Sequence, residues 1–150
     1  MSEQIVYLDT SAIVKRYVAE SGSDYMKNIY KSAYNVKLKI AFSLWNVGET
    51  LGVLDKAKRL GRLNEEDYGL VKRRFLGETT RLLKLNVLII VDLKSFIIKQ
   101  TWKIMEKYQL YQADALQIAS ANYIGANSFL VSDKKLHEAA LKEGLNSMLI

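Results

Sequence analysis

Two aspartates lie just beyond apolar segments that are predicted to be strands. Asp9 directly follows Ile5–Leu8, and Asp133 follows Phe129–Val131 after one intervening serine. In open α/β sheets, ligands bind beyond the carboxyl ends of the strands, so both carboxylates are placed to bind a ligand. Asp92 also follows such a segment, and Asp133 can equally cap the next helix. Position alone therefore leaves open which of these acids is functional.

Two further acids lie inside predicted helices. Glu49 is about 180° from the apolar stripe of the helix Ser43–Leu60, and Asp114 is in the first turn of a helix rich in small residues. Solvation explains Glu49 without a function, and a favourable interaction with the helix dipole explains Asp114. Asp9 is harder to explain in this way, because an acid that closes a core strand needs a partner or water.

The composition of the chain limits the kinds of active site and metal site that it can form. The chain has 150 residues, 49% of them apolar and 25% charged, which predicts one folded domain over residues 1–150. Cysteine is absent and His137 is the single histidine. These counts exclude a thiolate metal site, a cysteine nucleophile and a multi-histidine metal site. No apolar run approaches the length of a membrane span, and the start lacks the pattern of a secretion signal, so we expect a cytoplasmic protein.

Short apolar segments alternate with helical periodicity along the whole chain. This order predicts βαβ units around a buried, mainly parallel sheet. The predicted strands are Ile5–Leu8, Val36–Ile40, Val87–Val91, Phe129–Val131 and Ser147–Ile150. The first predicted helix is capped by Thr10 or Ser11 and ends before Ser21. The other predicted helices are Asp24–Tyr34, Ser43–Leu60, Asn64–Leu85, Lys94–Tyr108, Ala113–Tyr123 and Lys134–Lys142.

Three sequence blocks together resemble a known family. Residues 7–17 (YLDTSAIVKRY) resemble the opening of PIN-domain nucleases, particularly VapC-like toxins, and residues 113–121 (ADALQIASA) resemble that family's helix with a DAL motif. Residues 130–133 (LVSD), with an apolar residue three positions later, are similar to its third signature. Ser132 stands where many members carry threonine, and Glu49 lies where the family places a mid-chain glutamate. The resemblance spans residues 5 to 149 and implies a three-layer α/β/α sandwich.

The resemblance also implies a site and an activity. The family's acidic site maps onto Asp9, Glu49, Asp114 and Asp133, all of them metal ligands or holders of metal-bound water. Asp9 and Asp114 are the main ligands, while Thr10, Ser11 and Ser132 support the carboxylates or the scissile phosphate. Oxygen-only ligands suit Mg²⁺ or Mn²⁺.

The implied protein is an endoribonuclease and the toxin of a type II toxin–antitoxin pair. It is expected to be neutralised by a cognate antitoxin and to form a homodimer. Docking is expected on the helices Ser43–Leu60 and Asn64–Leu85, whose apolar residues exceed what one sheet layer needs; these are Leu44, Val47, Leu51, Leu54, Leu70, Phe75 and Leu76.

The positive charge of the chain is concentrated in one stretch. Residues 56–84 hold nine Lys or Arg and four Asp or Glu, whereas residues 1–55 are neutral and 85–150 carry a net charge of +1. Such a stretch attracts a polyanion such as RNA, but an acidic protein partner or plain solvation fits it equally. The candidate nucleic-acid patch is Lys56, Lys58, Arg59, Arg62, Arg73 and Arg74.

Other functions remain open on the sequence. The same fold can bind RNA or a partner without cutting, and it can serve RNA maturation or DNA repair without an antitoxin. A haloacid-dehalogenase-type phosphatase also carries an aspartate after its first strand, but that mechanism needs a second aspartate where this chain has Ser11. Tyr68, Tyr108 and Tyr111 are candidates for base stacking or for core packing, and Trp45 and Trp102 for packing or an interface.

Overall fold

The computed structural model describes residues 3–150, so the first two residues of the predicted domain lie outside it. The strands are β1 (Ile5–Leu8), β2 (Lys39–Ser43), β3 (Leu88–Val91), β4 (Ser128–Val131) and β5 (Ser147–Leu149). The helices are α1 (Thr10–Tyr17), α2 (Ser23–Tyr34), α3 (Leu44–Arg59), α4 (Glu65–Lys84), α5 (Ser95–Tyr108), α6 (Gln112–Tyr123) and α7 (Lys134–Lys142). Within these residues, none of the helices has the length and apolar character needed to cross a bilayer.

The strands form one parallel sheet in the order β3-β2-β1-β4-β5. From the central β1 the chain first winds to β2 and β3, and later returns to the other side of β1 to form β4 and β5. This reversal creates a crevice at the carboxyl ends of β1 and β4, the position where α/β sheets of this kind bind ligands.

Helices cover both faces of the sheet. In β1, Val6 and Leu8 point into a core formed with α1, α2, α3 and α4, whereas Tyr7 points into a second core formed with α5, α6 and α7. The sheet is therefore buried on both faces, which explains the continuous apolar runs of its strands. The predicted three-layer α/β/α architecture is confirmed.

One predicted strand is wrong by three residues. The alternation of Val36, Leu38 and Ile40 predicted a strand from Val36, but β2 begins at Lys39 and continues to Ser43. Val36 has a φ of 58° in the turn that closes α2, and its N–H donates to Ala33. The strand is buried on both faces, so its length follows the run Ile40-Ala41-Phe42 rather than an alternating pattern.

Candidate active site

Asp9 lies at the carboxyl end of β1 and is also the N-cap residue of α1. Its Oδ2 accepts hydrogen bonds from the backbone N–H and the hydroxyl of Ser11, at 3.2 and 2.6 Å. The predicted cap of α1, Thr10 or Ser11, is therefore wrong by one or two residues: Asp9 itself caps the helix. Only 8% of Asp9 is exposed, and no Lys, Arg or His of residues 3–150 forms an ion pair with it.

Burial raises the pKa of the Asp9 carboxyl to about 6, because a buried charge loses its hydration. The two hydrogen bonds from Ser11 lower the pKa, whereas the negative charges of Glu49 and Asp114 raise it further. Asp9 is thus a desolvated carboxylate beside two other acids, a setting in which a bound cation stabilises the ionised form.

Ser11 connects the two sides of the crevice between β1 and β4. While its hydroxyl donates to Asp9, its Oγ accepts a hydrogen bond from the backbone N–H of Ser132 at 3.0 Å. The hydroxyl of Ser132 is buried and has no hydrogen-bond partner within residues 3–150. Both serines predicted to support the site therefore lie at the crevice, and Ser11 has a definite role in orienting Asp9.

Glu49 is held by Thr10. The Thr10 hydroxyl donates to Oε1 of Glu49 at 2.5 Å and accepts a hydrogen bond from Nδ2 of Asn46 at 2.9 Å. Thr10 follows Asp9 in the chain, so this contact brings the carboxylate of α3 to the end of β1. The Thr10 hydroxyl is used to position Glu49.

Helix α3 is rotated relative to the sequence prediction. Its buried residues are Asn46, Thr50 and Leu54, whereas Leu44 is 48% exposed. At ~100° per residue the buried face is rotated by about 80° from the predicted apolar stripe, toward Glu49. This rotation places Glu49 at the edge of the buried face, instead of on the opposite side of the helix.

A buried polar network explains the rotation and was missed by the sequence analysis. Oδ1 of Asn46 accepts from the backbone N–H of Ser43 at 2.7 Å and lies 3.3 Å from the Tyr7 hydroxyl. That hydroxyl donates to Oε1 of Gln117 on α6, at 2.8 Å. The pairing of Ser43 with Asn46 three residues later is a capping-box spacing, which was the available sequence signal. The network joins the helix of Glu49 to that of Asp114.

Asp114 and Asp133 complete the group of four acids. Burial raises the pKa of Asp114, and the charges of Asp133 and Glu49 raise it further, while Lys135 opposes the shift. Asp133 is exposed, and its Oδ1 accepts a hydrogen bond from the backbone N–H of Leu136, so it also caps α7. Asp92 is exposed and is not among the residues that shift the pKa of Asp9 or Asp114.

The four acids influence one another without forming a ready-made cage. Within residues 3–150, no three Asp, Glu or His side chains are close enough to a common point to hold an ion. This spacing is compatible with Mg²⁺, which usually takes one or two protein carboxylates and completes its shell with water and substrate phosphates. The oxygen-only donor set and the buried, unpaired Asp9 therefore fit a hard divalent cation.

A family model decides the identity of the fold. The model for the PIN domain matches residues 6–142, which include all four acids. The chain belongs to the PIN-domain family. No curated protein matches the sequence of this PIN domain.

Several solved structures have a fold similar to that of this chain. The VapC20 structure of Mycobacterium tuberculosis, a sarcin-ricin loop cleaving toxin, has a TM-score of 0.63 at 15% identity, covering 89% of this chain and 94% of that one. FitAcB of Neisseria gonorrhoeae has a TM-score of 0.66 at 15% identity, covering 95% and 96%. A toxin–antitoxin complex from Klebsiella pneumoniae has a TM-score of 0.58 at 17% identity, covering 95% of each chain. These likenesses show the fold of the PIN domain.

The predicted basic patch is divided between two surfaces of the PIN domain. Lys56 and Arg62 line a cavity of about 400 Å³ that shares Val14, Glu20 and Val53 with a cavity of about 480 Å³. We call these two joined cavities the basic groove; its other end is lined by Thr10, Ser11 and Ser132. The basic groove therefore leads from the first turn of α1, directly after Asp9, to two of the predicted cations.

The remaining cations of the patch lie elsewhere. Arg73 and Arg74 line a separate cavity of about 370 Å³ near Glu78. Arg59 forms an ion pair with Asp55 at 2.9 Å, and Lys58 lies over the ring of Tyr68, 4.4 Å from its centroid. The six residues are thus not one continuous surface, and of these six only Lys56 and Arg62 line the groove that ends at Thr10, Ser11 and Ser132.

The other aromatic and histidine candidates lie in varied settings. The hydroxyl of Tyr108 donates to Glu143, and Nδ1 of His137 lies 2.7 Å from the Ser147 hydroxyl oxygen. Tyr111 is 83% exposed. Trp45 and Trp102 are 46% and 51% exposed. Neither tryptophan is therefore a core residue, which was one of the two roles considered for them.

Proposed function

We propose that this PIN domain is a metal-dependent endoribonuclease that hydrolyses RNA phosphodiester bonds in the cytoplasm. The observation that carries the proposal is the buried Asp9 carboxylate at the β1/β4 crevice, coupled to Glu49 and Asp114 in a chain of a family of nucleases. Folding leaves these acids close together at a cost in electrostatic repulsion, which is relieved when a cation binds.

Asp9 and Asp114 are the proposed ligands of Mg²⁺ or Mn²⁺, with Glu49 and Asp133 as additional ligands or as acceptors for coordinated water. When bound, the ion supplies water activation and charge neutralisation at the scissile phosphate. Ser11 fixes Oδ2 of Asp9 through two hydrogen bonds, so that the carboxylate enters the reaction already oriented. No protein nucleophile is required, which agrees with the absence of cysteine.

Thr10 and Asn46 orient the carboxylate of Glu49, as Ser11 orients that of Asp9. The Thr10 hydroxyl donates to Glu49, and Asn46 in turn donates to Thr10 from a fully buried position. This chain of hydrogen bonds restricts the rotamers of a half-buried glutamate at the edge of the buried face of α3. Preorganisation of this kind lowers the reorganisation that the site requires when the substrate binds.

RNA as the substrate and an antitoxin as the partner are supported by the structural relatives. VapC20 cleaves the sarcin-ricin loop, and the Klebsiella structure is a toxin–antitoxin complex. The basic groove supports a polyanionic substrate, because backbone affinity for nucleic acids is largely electrostatic. We therefore propose that the chain is the toxin of a type II toxin–antitoxin pair.

A homodimer is part of the proposal, with a smaller apolar surface than the sequence predicted. Leu44, Leu70 and Leu76 on α3 and α4 are 36–50% exposed and can contact a second copy or an antitoxin. Leu54 and Phe75 of the predicted docking surface are instead buried in the core. Light scattering at micromolar concentration tests this part, and a uniform monomer would contradict it.

A cleavage assay with matched variants tests the enzymatic function. Asp9→Asn removes a proposed ligand, whereas Asp92→Asn removes an exposed acid that also follows a strand. We expect wild type and Asp92→Asn to cleave RNA with Mg²⁺ or Mn²⁺ and to stop in EDTA, and Asp9→Asn to be inactive while folded. Binding of RNA without cleavage in either metal would favour a binding module, and undiminished cleavage by Asp9→Asn would refute the site.

A further inference from the structure

A small cavity with an exposed tryptophan lies at the carboxyl edge of the sheet. It has a volume of about 240 Å³, and we call it the Trp45 pocket; its lining residues are Trp45, Leu93, Ile98, Gln112, Ala113 and Leu116. Trp45 is the second residue of α3, and Leu93 lies two residues beyond the end of β3. Gln112 and Ala113 begin α6. Parallel strands end on the same side, so this pocket opens on the edge that carries Asp9.

Two residues that line the Trp45 pocket are neighbours, in the chain, of residues of the acidic site. Ala113 in its wall directly precedes Asp114, and Trp45 directly precedes Asn46, the residue that holds Thr10 and through it Glu49. A ligand bound at the acids therefore has this pocket beside Asp114, whereas the basic groove begins beside Asp9.

The chemistry of the lining differs from that of the basic groove. None of the six lining residues carries a charge. The pocket offers an indole ring that is 46% exposed, aliphatic walls and one amide, that of Gln112. This combination is unsuited to a phosphate or an acidic peptide, because it has no cation to balance the charge. It suits a flat, uncharged heteroaromatic ring that stacks on the indole and hydrogen-bonds with the amide.

We propose that the Trp45 pocket binds one nucleobase of the RNA, adjacent to the scissile phosphate and stacked on Trp45. This inference rests on the proposed ribonuclease function, and it assigns Trp45 as a residue that selects where the strand is cut. The base lies in the uncharged pocket, and the backbone continues past the acids into the basic groove. Gln112 reads the edge of the base.

Kinetics with a matched tryptophan control test the proposal. Base stacking on an aromatic residue is worth about 1–3 kcal/mol, so Trp45→Ala is expected to raise KM for RNA by about 5- to 150-fold. Trp45→Phe keeps an aromatic face and should recover most of the loss. Trp102→Ala removes an equally exposed tryptophan on α5 and should leave KM unchanged. If Trp45→Ala and wild type cleave with the same KM, the pocket proposal is overturned while the nuclease stands.

Fluorescence gives a readout that does not depend on cleavage. In an Asp9→Asn, Trp102→Phe variant, Trp45 is the sole tryptophan, and its emission should be quenched by a short RNA oligonucleotide. An abasic oligonucleotide of the same length and charge should not quench it.

The fluorescence outcomes separate the two proposals. Quenching by RNA in a protein whose wild type cleaves nothing would reject the nuclease but keep the base pocket. Equal quenching by the abasic strand would overturn the base pocket, because the contact would then involve the backbone alone. A response to an antitoxin but not to RNA would likewise overturn it and assign the pocket to a protein interface.

Discussion

Replacing Asp9 by asparagine should make the metal-free protein more stable at neutral pH. Burial raises the pKa of Asp9 to about 6 from an ordinary value of about 3.9, with Glu49 from α3 and Asp114 from α6 adding to the shift and Ser11 opposing it. Each pKa unit corresponds to 1.36 kcal/mol, so the ionised carboxylate costs the folded state about 3 kcal/mol. The amide has no charge and still accepts the hydrogen bonds from Ser11.

The sign of the pH dependence follows from proton binding. Between about pH 4 and 6 the folded state binds more protons at Asp9 than the unfolded state, so the free energy of unfolding falls as pH rises through this range. In EDTA, the free energy of unfolding of wild type should therefore fall by about 3 kcal/mol relative to that of Asp9→Asn as the pH rises from 4 to 7.5. Near pH 4 the two proteins should be about equally stable. For a 150-residue domain the difference of about 3 kcal/mol corresponds to a Tm higher by about 6–12 °C for the variant at pH 7.5.

Divalent metal should reverse the order of stability. A ligand at about 1,000 times its Kd stabilises the folded state by about 4.1 kcal/mol, which exceeds the cost of about 3 kcal/mol from the ionised Asp9 carboxylate. Mg²⁺ or Mn²⁺ at this excess should therefore raise the Tm of wild type above that of Asp9→Asn, whose own Tm should stay nearly unchanged. Denaturant unfolding and thermal melts, each with EDTA and with metal, measure these differences, and Asp92→Asn is the control that should follow wild type throughout. A lower Tm of Asp9→Asn in EDTA at pH 7.5 would refute the electrostatic reasoning.

Three further predictions concern other parts of the structure. Thr10→Val should lower the metal-dependent cleavage rate, and it should cost about 1–3 kcal/mol in urea unfolding because it leaves the buried amide donor of Asn46 unpaired. Thr10→Ser keeps the hydroxyl and should retain both the rate and the stability. Equal cleavage rates for Thr10→Val and Thr10→Ser would contradict the positioning role. Glu78→Gln should lower the free energy of unfolding by up to about 3 kcal/mol at pH 7, because it breaks the ion pair with Arg16, whose Nε lies 2.9 Å from Oε1 of Glu78. Burial raises the pKa of Glu78, but hydrogen bonds from Arg16, Tyr34 and Tyr17 outweigh it and lower the pKa. The stability advantage of wild type over Glu78→Gln should therefore disappear toward acidic pH in unfolding titrations. An advantage that is independent of pH would argue against the ion pair. The Lys56→Gln, Arg62→Gln pair should flatten the slope of log affinity against log salt by about 1.4 for single-stranded RNA, and the Arg73→Gln, Arg74→Gln pair should change it less if the basic groove carries the backbone.

The elements that carry the acids at strand ends could be predicted from the sequence alone. The run Ile5–Leu8 followed by Asp9 and a helical pattern predicts a buried strand, a turn and a helix, and the structure has this order. The predicted start of the helix at Asn64 is confirmed to within one residue, because α4 begins at Glu65 and Oδ1 of Asn64 accepts a hydrogen bond from the N–H of Asp67 at 2.7 Å. These features depend on local hydrogen bonds and apolar runs, which are visible in short windows of sequence.

Features that depend on contacts between distant segments could not be predicted in this way. The basic stretch is continuous in sequence but divides in space, because Lys56 faces the groove beside α1 while Arg74 lies beside Glu78. Charge counting along the chain registers the excess but not the face of each helix on which it lies. The start of β2 was missed for a related reason, since Val36 fits a strand pattern but has the left-handed backbone of a turn.

The orientation of α3 shows why apolar periodicity fails at the site itself. A pattern that counts only apolar residues places Leu44 inside and Glu49 on the far side, yet Leu44 is half exposed, and Asn46 and Thr50 are completely buried. Burying an amide is tolerable when its polar atoms have partners, and in Asn46 Oδ1 accepts from the N–H of Ser43 while Nδ2 donates to Thr10. With this face turned inward, Asn46 holds Thr10 and Thr10 holds the Glu49 carboxylate, so the departure from the simple pattern occurs where the proposed chemistry takes place.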